Sequence, residues 1–129
     1  MTAKDPRLDI EVLVRDSGTA VLTVGGELDV DTATSLHHHM ANQFLHGRRH
    51  VVLDLSRLDF MDSSGLNVLI KAGREARATS AHLHLAAPTP AVRSLFEITG
   101  LTLNTPIHDD VEEALKSAHA NREDTPVPD

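Results

Sequence analysis

Polar and apolar positions along the 129-residue chain change their period several times, and each change predicts a new element. Leu8, Ile10, Val12 and Val14 alternate with Asp9 and Glu11, the period of two of a half-buried strand. Asp16-Ser17-Gly18 is a turn signal, and Ala20, Leu22 and Val24 then alternate again, so the two runs predict an antiparallel hairpin. From Asp31 onward Ala33, Leu36, Met40 and Phe44 recur at spacings of three and four, the face of a helix that Gly47 ends. Val51 to Leu55 is almost continuously apolar and β-branched, the pattern of a central strand covered on both faces.

A second helix follows Asp59-Phe60-Met61-Asp62-Ser63-Ser64-Gly65, with Leu66, Leu69, Ile70 and Gly73 on its inner side. Leu83 and Leu85 mark a further strand, with His82 and His84 on its other face. Thr89 and Pro90 suit the N-cap and first position of a third helix, whose inner face is Val92, Leu95, Phe96 and Thr99 and whose stop is Gly100. Leu103 to Ile107 predicts a short edge strand, and Val111, Ala114, Leu115 and Ala118 the inner face of a last helix. The order β-β-α-β-α-β-α-β-α predicts a single α/β domain over residues 8–118, with a mostly parallel sheet, right-handed crossovers and an N-terminal antiparallel hairpin. Residues 1–7 read as an N-terminal extension, and 121–129, with two prolines and three acids, as a disordered tail. In such sheets functional loops lie at the carboxyl ends of strands; here those loops are Gly25 to Asp31 and Leu58 to Ser64.

Composition narrows the function. The formal charge of −7 disfavours a nucleic-acid backbone as ligand, and three Phe with no Trp or Tyr disfavour base stacking. Without Cys there is neither a disulfide nor a zinc–thiolate site, which fits a reducing compartment. No apolar run reaches membrane-spanning length and the N-terminus lacks a signal-peptide core, so a soluble cytoplasmic protein is expected. There is no phosphate-binding glycine loop with Lys, no Gly-x-Ser-x-Gly and no His-Glu-x-x-His, so the chain does not read as an enzyme, and no cofactor is expected.

Asp62-Ser63-Ser64-Gly65 is the richest local feature, placed where a buried strand hands over to an amphipathic helix. Asp and Ser at that position are ordinary helix caps. They also suit a phosphoacceptor: phosphorylation adds about −1.5 to −2 charges, which a helix N-terminus tolerates but a bound partner meets as repulsion and desolvation. Both readings fit the residue types.

Three segments together resemble the STAS-domain anti-sigma factor antagonists: Gly26-Glu27-Leu28-Asp29; Val52-Leu53-Asp54-Leu55-Ser56 running into Phe60-Met61-Asp62-Ser63-Ser64-Gly65-Leu66; and Ser94 to Leu101. The resemblance spans about Leu8 to Ala118. It implies that the unphosphorylated domain binds an ATP-using anti-sigma factor that is also a serine kinase, that phosphorylation of the first serine of the motif breaks the complex, and that a PP2C-type phosphatase restores it. Ser63 matches that serine, with Ser64 the second choice. Asp62 and Asp29 match the acidic residues beside it, and Met61, Gly65 and Asn67 complete the implied partner-binding neighbourhood. Asn67 departs from the Gly frequent in the family. A constitutive scaffold or a small-ligand or nucleotide sensor of the same fold are the rival readings.

Nine His are many for this length. His37-His38-His39 point about 100° apart on a helix and cannot converge on one metal. His82 and His84 share a strand face and are a two-ligand start, but spacing places no third, so a polar or partly exposed face covered by a helix is expected and no metal site. Phe60 is expected in the core, whereas Met61 is open between core and surface.

Overall fold

The computed structural model describes residues 2–4, 7–100 and 105–124. Its elements are β1 (Thr2–Lys4), β2 (Leu8–Asp16), β3 (Thr19–Leu28), α1 (Ala33–Leu45), β4 (His50–Met61), α2 (Ser63–Ala78), β5 (His82–Ala86), α3 (Pro90–Thr99), β6 (Ile107–His108) and α4 (Val111–Asp124). The expected order of strands and helices is present, preceded by one short strand. The six strands form one sheet in chain order; β1–β2 and β2–β3 are antiparallel, and the later pairs are parallel.

The strands' period of two sorts the sheet into two faces. Leu8, Ile10, Leu22, Val24, Leu53, Leu55 and Leu85 join Leu36 and Met40 of α1, Leu66 and Leu69 of α2, and Val92 and Phe96 of α3 in the main core. The opposite face is smaller: Val21, Val52 and Ala86 pack against Ala114 and Leu115 of α4. Burying a Leu or Phe side chain contributes about 1.5–3 kcal/mol, so the larger core dominates stability.

Several expectations change. Residues 1–7 are not merely an appendage, because Thr2–Lys4 pairs with β2. The edge strand is Ile107–His108 rather than 103–107; residues 101–104 lie outside the described ones. Helix α4 runs to Asp124, so the first four residues of the expected disordered tail are helical, and 125–129 lie outside the description. The two loops are shorter than expected. Register shifts at Thr23/Gly25 and Gly26/Glu27 keep β3 and β4 paired as far as Leu28 opposite Met61. Bulges of this kind accommodate Gly and polar residues that do not alternate as strand residues should. Phe60, expected in the core, is 47% exposed, whereas Met61 is 8% exposed and packs inward. Thr89 does sit at the N-cap of α3, but its hydroxyl donates to the Leu58 carbonyl at 3.3 Å, tying the helix start to β4, and makes no cap bond.

Candidate functional site

Because β3 and β4 are parallel neighbours that end together, the residues that follow them emerge side by side. The Asp62 N–H donates to the Leu28 carbonyl at 3.2 Å, extending the ladder one residue past Met61. The two loops are thus fixed by sheet hydrogen bonds.

Asp62 is the N-cap of α2. Its Oδ1 accepts from the backbone N–H of Ser64 at 2.8 Å and of Gly65 at 3.3 Å. This satisfies two of the helix's orphan donors and stops β4 from continuing. Gly65 is buried at the crossing of the two strand ends: a Cβ there would lie 2.7 Å from Leu28 Cγ and 3.0 Å from Met61 Cγ. The first turn of α2 therefore sits flush on the sheet. Ser63, the first helical residue, is exposed, and Ser64 is half-buried. Asn67, one turn on from Ser63, shares its exposed side. Replacing Asp62 by Ala is expected to cost about 1 kcal/mol through loss of the cap, read as a lowered urea midpoint with an unchanged m-value.

Asp29 occupies the other loop. Its Oδ1 accepts from the N–H of Asp31 at 2.9 Å and of Thr32 at 3.2 Å, and its backbone carbonyl accepts from the N–H of Ala33 at 2.8 Å. The Thr32 hydroxyl donates to the Glu27 carbonyl at 2.9 Å and accepts from the Asp29 N–H at the same distance, closing the turn. Arg7 grips the carboxylate with both terminal nitrogens and reaches Asp31 Oδ2 at 3.0 Å. Partial desolvation pushes the Asp29 carboxyl up, but the Asp31 N–H, the Arg7 guanidinium and the Thr32 N–H together outweigh it and hold the group below its usual value. Asp29 is therefore an anchored carboxylate that shapes its loop.

Arg7 and Thr32 were not legible from motifs. Arg7 lies 22 residues from its partner, in a stretch without periodicity, and no spacing rule announces such a pair. Val30 and Phe60, next in sequence to Asp29 and Met61, are 70% and 47% exposed. A concavity of about 590 Å³ opens along β2, β3 and β4, lined by residues such as Asp9, Glu11, Gly25, Arg57 and Asp59; its lining includes neither Asp29 nor Ser63. No described helix is long and apolar enough to cross a membrane.

The STAS domain profile matches residues 10–114, and the chain belongs to the STAS domain family. BtrV of Bordetella bronchiseptica is 34% identical over 97 residues, covering 75% of this chain and 84% of the relative. The anti-sigma-B factor antagonist of Staphylococcus aureus is 32% identical over 94 residues, covering 73% and 86%. Among solved structures, the unphosphorylated anti-sigma factor antagonist SpoIIAA aligns with a TM-score of 0.75 at 25% identity over 86% of this chain and 96% of its own. The phosphorylated Bacillus SpoIIAA aligns with a TM-score of 0.67 at the same 25% identity, over 84% and 98%. The anti-sigma factor antagonist resemblance read from three sequence segments thus agrees with these relatives and with the fold.

Proposed function

We propose that this domain is an anti-sigma factor antagonist: unphosphorylated, it binds an anti-sigma factor that is also an ATP-using serine kinase, and phosphorylation at Ser63 ends the complex until a PP2C-type phosphatase reverses it. The observation that carries the reading is the placement of Ser63. It is exposed at the first position of α2, while Asp62 caps the helix and Gly65 seats it against Leu28 and Met61. A kinase can reach such a hydroxyl without unfolding the domain. The helix dipole then stabilises the phosphate by roughly 0.3–1 kcal/mol, so the fold survives the modification. A docked partner meets a dianion at the first turn of α2, and the switch acts on binding alone. Solved structures of SpoIIAA in both forms support a fold that tolerates such a change.

Phosphosite mass spectrometry of the wild type and Ser63→Ala, each incubated with ATP and lysate of the source cell, tests this reading. Stoichiometric phosphate on Ser63, absent from the variant, is expected. Phosphate retained on the variant moves the acceptor, with Ser64 next in line, and no phosphate under any growth condition removes the switch.

A further inference from the structure

Outside the candidate site, the most unusual packing is under α4. The sheet register sets three rows on this face: Thr19–His50–His82, then Val21–Val52–His84, then Asp54–Ala86–His108. Val21, Val52 and Ala86 are the apolar floor that receives Ala114 and Leu115. The remainder of the floor is four imidazoles, His50, His82, His84 and His108, together with Thr19 and Asp54. His84 is fully buried and His50 nearly so, while His82 sits at the open end. The rings form a continuous row, with centroids 5.2 Å apart for His50–His82, 5.3 Å for His50–His84 and 5.7 Å for His84–His108. His50 Nδ1 and His84 Nε2 share one hydrogen bond of 3.1 Å. His84 Nδ1 and His108 Nε2 are buried without a hydrogen-bond partner. Among the described residues, no three His, Asp or Glu side chains are placed to hold a metal ion.

Asp54 on β4 accepts from the Ser56 N–H, and Asp109 after β6 pairs with Arg93 of α3. Asp110 caps α4 through the Glu113 N–H, and Asp16 of β2 accepts from the Gly18 N–H. On α4, Glu112, Glu113, Lys116 and His119 are exposed, and so is Arg15 of β2. The inward residues Val111, Ala114, Leu115 and Ala118 carry no charge. The Nε2 of His84 is taken up by His50 and its Nδ1 has no hydrogen-bond partner, so a proton on it adds a buried cation among other imidazoles. Burial, then the neighbouring His50, His108 and His82, push its pKa down to about 3.

We propose that the imidazole row is an acid-sensitive latch, whose protonation frees β6 and α4 from the sheet while the main core and the Asp62–Ser63 site stay folded. The segment is suited to local opening. Its apolar anchor is five buried residues, against twenty in the main core, and β6 is only two residues long. The sign follows from linkage. A histidine whose pKa is lowered in the closed state contributes stability that is complete above its ordinary value of about 6.5 and is lost as pH falls toward 3. With those two values, one proton taken up on opening raises the open population roughly tenfold between pH 7.5 and 5.5, and about tenfold again by pH 4.5.

Hydrogen exchange of the full chain, followed by mass spectrometry at pH 7.5, 5.5 and 4.5 and corrected for the intrinsic pH dependence of amide exchange, tests the latch. Peptides from 105–124 are expected to gain about tenfold at each step, with those of β4 and α2 changing less than threefold. His84→Leu, which fills the same apolar site without a titrating group, is expected to flatten the dependence. Uniform loosening of all peptides, no change in 105–124, or an undiminished dependence in His84→Leu each overturns the proposal. The wild-type measurement decides the matter even if the variant folds poorly. Exchange repeated with EDTA is expected to be unchanged; a pH dependence abolished by the chelator assigns the effect to a metal and overturns the latch as well.

Discussion

Gly26→Ala is expected to lower the free energy of unfolding by about 3–4 kcal/mol, measured from urea midpoints at constant m-value. Gly26 has φ +99°, and a Cβ on it would lie 2.1 Å from the Arg7 carbonyl oxygen and 3.1 Å from its carbon. The left-handed backbone alone costs an L-residue roughly 1–2 kcal/mol. The collision adds to it, because the obstacle is main chain and not a side chain that can swing aside. Arg7 O accepts from the Glu27 N–H at 2.8 Å, and Leu8 pairs with Gly26. Moving the 7–8 backbone away loosens those bonds, at about 1 kcal/mol each. Gly47→Ala isolates the two contributions. Gly47 has φ +89°, but a Cβ there meets nothing within 4 Å, so only the conformational cost of about 1–2 kcal/mol is expected. Equal losses in the two variants would show that the Arg7 backbone gives way freely. The contrast also bears on the site, since the residue displaced by Gly26→Ala is the one whose guanidinium holds Asp29.

What the sequence made legible was whatever repeats. The alternation at Leu8 and Ile10, the apolar run at Val51–Leu55 and the helical spacing of Leu36 and Met40 each report burial directly; all these apolar residues face the main core except Val52, which packs on the other face. The Asp62 cap was legible because capping is local, a carboxylate two and three residues from the N–H groups it accepts. Features that depend on register or distant pairing were not. Gly25, Gly26, Ser56 and Arg57 do not alternate, so the extensions of β3 and β4 looked like loop, and only the pairing of Leu28 with Met61 shows that both strands continue. The same register shifts turn Phe60 outward and Met61 inward, against the expectation that the larger aromatic ring would be buried. Arg7 joins the site from outside the expected domain, across 22 residues. His82 and His84 were placed correctly on one face, but the meeting of His84 with His50 and His108 needed the alignment of three strands.

Ser63→Asp is expected to weaken binding to the anti-sigma factor at least 30-fold, about 2 kcal/mol, while leaving the thermal midpoint of the free domain within a few degrees of wild type. Both halves follow from the same position. In the free domain the new carboxylate is exposed at the N-terminus of α2, where the dipole favours a negative charge by a few tenths of a kcal/mol and opposes the repulsion from Asp62. In the proposed complex the same carboxylate would lose water against the partner, and an uncompensated charge at an interface costs about 2–5 kcal/mol. Ser63→Asn separates charge from bulk, because it has nearly the shape of Asp and no charge. Titration calorimetry with the purified anti-sigma factor is expected to place Asn within about threefold of wild type and Asp well beyond it. Equal weakening by Asn and Asp would assign the effect to volume at the first turn of α2. Binding of Ser63→Asp as tight as wild type would mean that charge at this residue does not break the complex, and the antagonist would have to be switched from another surface.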